Sequence, residues 1–244
     1  WLFVTTGLSL DYDRIEGMDQ QLIGQNGIAS VYAGPKAAAS SHRVITEYLN
    51  SGGVALFGRP ATEMKCAGAP LKMTFITDDL ARRAGVRHKC EIVYTAHNQT
   101  LFAVAPVDEK VKGMFAQRGI TTRYDHVITA IDPMAKRATY RTPNGAVALD
   151  YDMIHVIPPM SAPQAVRNSP LPWQSGANAA DGWIEVSPES LRSPRYPNVF
   201  AVGDVAGVPR GKTAASVKFQ VPVAVDHMIA AANGLASPKI YNGY

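Results

Sequence analysis

The chain has 244 residues, 46% of them hydrophobic, which is enough for the core of one large domain or two small ones. Its formal net charge is +4 and no long basic run occurs, so the composition argues against a nucleic-acid-binding protein. Only two cysteines are present, Cys66 and Cys90, which excludes a disulfide scaffold and a four-cysteine metal site, and we predict no bound metal.

The first half of the chain alternates between predicted strands and helices. Trp1–Gly7 indicates the end of a strand entering a turn, so we expect a chain that begins inside a domain. Then come a strand at Val54–Phe57, a helix at Leu71–Ala84, a strand at Glu91–Thr95, a helix at Asp108–Gln117 and a strand at Ile120–Arg123. This order predicts parallel strands joined by crossover helices. Met73, Ile76 and Leu80 share one face of the first helix, which predicts its packing side.

Strands with period-two alternation follow. They lie at His126–Ile131, Arg137–Arg141 and Val147–Asp150 and predict an antiparallel meander. The run Met153–Ile157 is typical of a last buried strand, which ends at two prolines.

The last third begins with a loop rich in Pro, Ser and Asn, Ser161–Asn178. Short strands are predicted at Trp183–Val186 and Val199–Val202, and a long helix at Thr213–Asn233. Its apolar side contains Val221, Val225 and Ile229, among others, and is expected to pack on the core.

The segment Asn198–Lys212 has the most specific pattern in the chain. A buried strand ends at Gly203 and Asp204, and the carboxyl ends of parallel strands are where ligands bind in such sheets. Asp204 can accept hydrogen bonds from ribityl hydroxyls, and Gly203 lets the backbone approach a ligand closely. Lys212 precedes the long helix, whose amino end stabilises negative charge such as that on a reduced flavin.

Tyr196–Asp204 resembles the second FAD-binding motif of the pyridine nucleotide–disulfide oxidoreductase superfamily, and Thr5–Gly7 resembles the superfamily's Ala-Thr-Gly turn. The resemblance implies that Asp204 binds the ribityl chain of FAD and that Thr213–Ala215 faces its pyrimidine edge. The cofactor-binding residues that it implies are Thr6, Gly7, Gly203, Asp204, Lys212, Thr213 and Ala214.

A reductase of this kind would have a GxGxxG turn after Val54–Phe57. At that position this sequence has no such glycine pattern, and the turn is longer. We therefore expect no NAD(P)H binding. Cys66 occurs there instead, beside Lys65 and shortly before a predicted helix. Both features stabilise a thiolate. The alternative for Cys66 is a small buried thiol, which is the interpretation that we favour for Cys90.

Lys65–Lys72 closely resembles the motif around the active cysteine of sulfide:quinone oxidoreductases. Further matches to that family are Met153–Met160, Gly182–Val186, Lys212–Ala215 and Tyr241–Tyr244. The resemblance covers nearly the whole chain and identifies it as an internal fragment of such a protein.

The resemblance implies a chemistry and a set of partners. Cys66 would take up sulfide sulfur as a persulfide, and two electrons would pass through FAD to a quinone. Lys212 would stabilise the reduced flavin, with Pro159 and Met160 lining the ring near the quinone side. The expected partners are sulfide and a quinone as substrates, and a peripheral membrane surface. The membrane would be either the bacterial cell membrane or the mitochondrial inner membrane. The resemblance is also compatible with a homo-oligomer.

The resemblance also implies the fold: an α/β, FAD/NAD(P)-binding Rossmann-like two-domain fold, truncated at its amino end, with a parallel sheet, crossover helices and an antiparallel meander. We expect the FAD-binding domain at 1–28 and 151–235, an NAD(P)-binding-like domain containing Cys66 at 29–150, and the start of a carboxyl-terminal region at 236–244.

One residue departs from the family pattern. Some members have a second redox cysteine directly after Gly-Asp, where this chain has Val205. The alternatives are therefore another flavin dehydrogenase of the superfamily, such as flavocytochrome c sulfide dehydrogenase or a type II NADH dehydrogenase, and a degenerate flavin-binding or sulfur-carrier protein without catalysis.

Overall fold

The computed structural model describes residues 1–209 and 211–243. Arg210, inside the predicted flavin segment, and Tyr244, at the end of the last family match, lie outside the described residues. The strands are β1 (Leu2–Val4), β2 (Ser9–Leu10), β3 (Ile28–Ala29), β4 (Gly53–Gly58), β5 (Cys90–Thr95), β6 (Thr121–Arg123), β7 (Val127–Asp132), β8 (Arg137–Thr142), β9 (Gly145–Asp150), β10 (Met153–His155), β11 (Met160–Ser161) and β12 (Val199–Ala201). The α-helices are α1 (Pro35–Ser51), α2 (Ala69–Arg83), α3 (Ala105–Arg118), α4 (Gln164–Arg167), α5 (Ala177–Ala180) and α6 (Ala214–Ala232).

The described residues divide into two compact units. Unit 1 comprises Trp1–Ser9, Thr62–Cys66 and Met160–Tyr244, and unit 2 comprises Leu10–Ala61 and Ala67–Pro159. This division differs from the domains expected from the sequence. Residues 10–28 and 151–159 belong to unit 2, because β3 pairs with β10 in the sheet that also contains β4. Cys66 belongs to unit 1, because its backbone bonds to Lys212.

Unit 2 is built on a five-stranded parallel sheet in the order β3-β10-β4-β5-β6. Helices α1, α2 and α3 connect its successive strands, which is the strand–helix alternation that the sequence predicted. Helix α1 was not predicted, although Gly34-Pro35 at its start and Gly52 at its end are typical boundary residues. The meander β7-β8-β9 forms a separate antiparallel sheet, as expected.

Unit 1 contains the parallel pair β1–β12 and the long helix α6. Its core is built around Trp183, Phe200 and Val205, all fully buried. The predicted strand Trp183–Val186 is absent from the secondary structure of this part of the chain; Ile184 forms only single bridges, to Pro172 and Ala206. Among the described helices, α6 included, none combines the length and the apolar character that crossing a bilayer requires.

Candidate functional site

Two candidate cofactor-binding turns leave the same edge of the β1–β12 pair. Because the two strands run parallel, the turns after them emerge at the same end. Gly7, which follows β1, has a φ of 69°, and Gly203, which follows β12, has a φ of 78°; this left-handed region favours glycine. The structure therefore brings Thr6 and Gly7 to the edge at which Gly203 and Asp204 stand, where ligands bind in parallel sheets.

Helix α6 fixes the turn after β12. The backbone N–H of Gly203 donates a hydrogen bond of 2.7 Å to Oε1 of Gln220, whose side chain is buried on α6. Sequence reasoning missed Gln220. Gln220 is a long polar side chain one turn after the buried Ser216, on a helix rich in apolar residues. That pattern could have indicated a buried hydrogen bond at this position.

The amino end of α6 is open to a negatively charged ligand. Thr213 is the N-cap, and its side chain accepts a hydrogen bond from the N–H of Ser216. The first N–H groups of a helix, which include that of Ala214, have no acceptor within the helix. These donors and the helix dipole suit an anionic edge.

The side chain of Lys212 is directed into unit 1 and is only 6% exposed. Its Nζ donates hydrogen bonds to the carbonyl oxygens of Asp204, at 2.7 Å, and Ala206, at 3.0 Å. It also lies 3.8 Å from the centroid of the Trp183 ring. The sequence predicted a cation aimed at a bound cofactor, whereas the ammonium is directed to the backbone of the turn after β12.

The environment of Lys212 makes its charge labile. Burial lowers the pKa of Lys212 to about 8, although the carboxylates of Glu63, Asp204 and Asp181 oppose this shift. A lysine with a pKa of about 8 is partly neutral at mildly alkaline pH.

Within unit 1, the backbone of the cysteine segment Thr62–Cys66 bonds to the segment that precedes α6. The N–H of Cys66 donates a hydrogen bond of 2.8 Å to the carbonyl oxygen of Lys212. The φ of Cys66 is 53°, a left-handed conformation that is uncommon in a residue with a side chain and is often found at functional sites. Its thiol is exposed, whereas Cys90 is buried in β5, as predicted.

Of the two residues predicted to lie near the quinone, Met160 contacts the cysteine segment. Met160 is fully buried, and its N–H donates to Oγ1 of Thr62 at 3.0 Å, while its sulfur accepts from the N–H of Lys65 at 3.4 Å. Pro159 belongs to unit 2, where its carbonyl oxygen accepts from the N–H of Asp11.

Two further side chains hold the loop after Asp204. Nε1 of Trp173 and Nδ2 of Asn178 both donate to the carbonyl oxygen of Gly207, at 3.2 and 3.3 Å. A Cβ on Gly207 would lie 2.4 Å from Nε1 of Trp173, so only glycine fits there. The sequence placed Trp173 and Asn178 in an irregular loop and gave no sign of this contact.

Side chains that could bind a metal do not gather here. Within residues 1–209 and 211–243, no three His, Cys, Asp or Glu side chains lie close enough together to hold a metal ion.

Comparison of sequences confirms the resemblance predicted from the motifs. A mitochondrial sulfide:quinone oxidoreductase of Dictyostelium discoideum is 35% identical over all 244 residues. The alignment covers 52% of that protein, so the chain spans about half the length of this curated relative. No protein-family model matches the chain.

Comparison of structures confirms the predicted fold class. A chain in the cryo-EM structure of the Tetrahymena thermophila mitochondrial ATP synthase aligns with a TM-score of 0.82 and 20% identity, covering 99% of this chain and 58% of that one. The sulfide:quinone oxidoreductase of Aquifex aeolicus aligns with a TM-score of 0.77 and 19% identity, covering 96% and 55%. At these identities the likeness shows the fold alone, an α/β fold of the kind found in FAD/NAD(P)-binding oxidoreductases.

Proposed function

We propose that the chain is part of a sulfide:quinone oxidoreductase, which oxidises sulfide and passes two electrons through FAD to a quinone. The observation that carries the proposal is the hydrogen bond from Cys66 to Lys212. It fastens an exposed thiol to the segment that leads into α6, the helix whose amino end is open to a ligand. The 35% identity to the Dictyostelium enzyme over the whole chain supports this assignment.

The residues at the edge of the β1–β12 pair fit FAD. Asp204, at the carboxyl end of β12, would accept hydrogen bonds from the ribityl hydroxyls. The N–H groups of Thr213 and Ala214 would face the pyrimidine edge, and Thr6 and Gly7 would border the cofactor from the neighbouring turn. When bound, FAD supplies a two-electron acceptor that a quinone can reoxidise.

Cys66 is the nucleophile of the proposed reaction. In the net reaction, the Cys66 thiolate and hydrosulfide would become a persulfide on Cys66, with one proton released, and FAD, when bound, would supply the acceptor for the two electrons. An exposed thiol can meet a small anion directly, and the left-handed backbone of Cys66 sets the direction of its side chain. Met160, packed on the cysteine segment, borders the quinone side.

The substrates suggest where the full protein works. Quinones dissolve in membranes, so we place the protein at a membrane surface. The name of the Dictyostelium relative favours the mitochondrial membrane over a bacterial one.

A second candidate is a protein that keeps the flavin fold without sulfide oxidation. The observation in its favour is Val205, a fully buried apolar residue at the position where some family members have a second redox cysteine. The chain in the Tetrahymena ATP synthase structure has the same fold, and a fold alone does not require this chemistry.

Sulfide-driven bleaching of the visible flavin absorbance decides between the candidates. In the full-length protein that contains this chain, loaded with FAD under anaerobic conditions, we expect sulfide to bleach the flavin absorbance. A soluble quinone should then restore the absorbance. Cys66→Ser should slow bleaching by about a hundredfold or more, because no other exposed thiol occurs in this chain. The matched control is Cys90→Ala, which removes a buried thiol and should keep the parent rate.

Each outcome has a definite meaning. If Cys66→Ser is bleached as fast as the parent, the site assignment is wrong. Absence of bleaching by sulfide in the parent favours the second candidate, and bleaching by NADH alone favours a type II NADH dehydrogenase.

A further inference from the structure

Lys212 is bound at both ends. Its carbonyl oxygen accepts the N–H of Cys66 at 2.8 Å, and its ammonium donates to the carbonyl oxygens of Asp204 and Ala206. One residue therefore links the cysteine segment to the turn after β12. A buried ammonium is unfavourable unless its donors are satisfied, so this link depends on what surrounds Nζ.

Trp183 supplies the remaining surface around that ammonium. It is fully buried, and its ring centroid lies 3.8 Å from Nζ of Lys212, well inside the range of a cation–π contact. The indole N–H of Trp183 has no hydrogen-bond partner among the described residues. Trp183 therefore interacts with the ammonium through the face of its ring.

The backbone after Trp183 holds the ring in place. The N–H of Ile184 donates to the carbonyl oxygen of Val205 at 3.0 Å, and the N–H of Gly207 donates to that of Ile184 at 2.9 Å. Trp183 is thus tied to the same turn that receives the ammonium, which limits how far the ring and Nζ can separate.

We propose that Trp183 is a positioning residue for the redox site: its ring keeps the Lys212 ammonium on the turn after β12 and thereby holds Cys66 in its left-handed backbone conformation. In this role Trp183 acts on the thiol through Lys212. This role deepens the proposed function, on which it rests, because it concerns the thiol assigned to sulfide oxidation.

Hydrogen–deuterium exchange of the full chain loaded with FAD tests the link without relying on sulfide chemistry. The Cys66 amide is the donor in the bond to Lys212, so its exchange reports whether that bond persists. We expect Trp183→Leu to speed exchange in the peptide around Cys66 by about tenfold, because leucine has no aromatic face for the ammonium. Trp183→Phe keeps an aromatic face and should change this exchange by less than about threefold.

Trp173→Phe is the matched control. Trp173 reaches the same loop through its N–H to Gly207 but is not the ring on which Lys212 lies. Its replacement should speed exchange around Gly207 and leave the Cys66 amide unchanged. Lys212→Met should reproduce the effect of Trp183→Leu, and the double variant should exchange no faster than Lys212→Met alone, because the two residues act as one unit.

Parent-like exchange at Cys66 in either Trp183→Leu or Lys212→Met overturns the proposal, and so do additive effects in the double variant. If Trp183→Leu does not fold, the proposal stands only if Lys212→Met speeds exchange at Cys66 while Trp183→Phe stays within about threefold of the parent. Sulfide-driven flavin reduction, measured in parallel, should slow several-fold in Trp183→Leu with little change in the sulfide concentration at half-maximal rate. If the parent shows no sulfide reaction, the proposed function fails while exchange still decides the role of Trp183.

Discussion

Units 2 and 1 bury a charged side chain in two different ways. In unit 2, Asp78 on α2 is fully buried and accepts hydrogen bonds from Arg82, Arg87 and Arg118, at 2.8, 2.6 and 2.7 Å. In unit 1, the contacts of the Lys212 ammonium are two backbone carbonyls and an aromatic ring. Full opposite charges bond directly to the first buried charge, whereas carbonyl dipoles and a ring face contact the second, and the carboxylates of Glu63, Asp204 and Asp181 also act on it.

The pKa values show what this difference means. Burial alone would raise the pKa of Asp78, but the hydrogen bonds from its three arginines lower it below the ordinary value. Burial lowers the pKa of Lys212 to about 8. Asp78 therefore keeps its charge throughout the neutral range, as suits a structural group, whereas Lys212 can lose its charge at mildly alkaline pH. Labile charges of this kind are typical of functional sites.

The largest effect is expected for Asp78→Asn. Three guanidinium groups would lose the buried carboxylate that they share, so the free energy of unfolding should fall by about 3–5 kcal/mol. Urea unfolding of the full chain measures it. The control is Asp79→Asn, which breaks the exposed pair with Arg83 and should cost less than about 1 kcal/mol. Equal losses in the two variants would show that Asp78 is not the centre of unit 2's charge network.

Lys212→Met should have a smaller effect on stability at pH 7, within about 2 kcal/mol in either direction. The lost hydrogen bonds to two carbonyls are offset because an ammonium no longer has to be desolvated, and methionine fills a similar volume. The same urea titration measures it. A loss as large as that of Asp78→Asn would show that the two buried charges stabilise their units to a similar extent.

The smallest expected effect is a change in the free energy of unfolding with pH. Between pH 8 and 10 the unfolded chain keeps a proton on Lys212, whose ordinary pKa is 10.5, while the folded chain has lost it. The unfolded state binds more protons there, so stability rises with pH. The free energy of unfolding of the parent minus that of Lys212→Met should climb by about 1 kcal/mol per pH unit in this window and stay flat below pH 7. A flat difference throughout would mean that Lys212 titrates normally.

Strand and helix positions followed from local sequence where the pattern was strong. The alternation from β4 to β6 and the meander β7-β8-β9 both agree with prediction within a few residues, because runs of β-branched residues and flanking glycines act locally. The turns at Gly7 and Gly203 were found for the same reason, since each needs a backbone that glycine adopts readily.

The buried faces of the helices could not be found this way. On α2 the predicted packing residue Ile76 is exposed, while Thr74, Thr77 and Asp78 are buried. Asp78 is buried because Arg118, forty residues away on α3, joins Arg82 and Arg87 around it. On α6 Val221, Val225 and Ile229 of the predicted apolar side are exposed, although Met228 packs on the core of unit 1. The buried positions are Ser216, Gln220, Val223 and Ala224, and Gln220 is buried because its side chain bonds to Gly203. Contacts with residues distant in sequence, such as Arg118 for Asp78 and Gly203 for Gln220, decided these buried faces more than the local apolar pattern did.

The candidate site shows the same limit. Cys66, Asp204 and Lys212 were visible as motifs, but the contacts of Lys212 with Trp183 and with the Cys66 backbone join distant segments. No local pattern encodes such contacts.

The hydrogen bond between Cys66 and Lys212 also bears on the order of events during synthesis. Cys66 leaves the ribosome long before residue 212 does, and the parallel strands of unit 2 come between them. Contacts of such high sequence separation form late, because the loop between them must first be closed. The thiol therefore stays without this backbone restraint until residue 212 has been synthesised and the segments between them have folded.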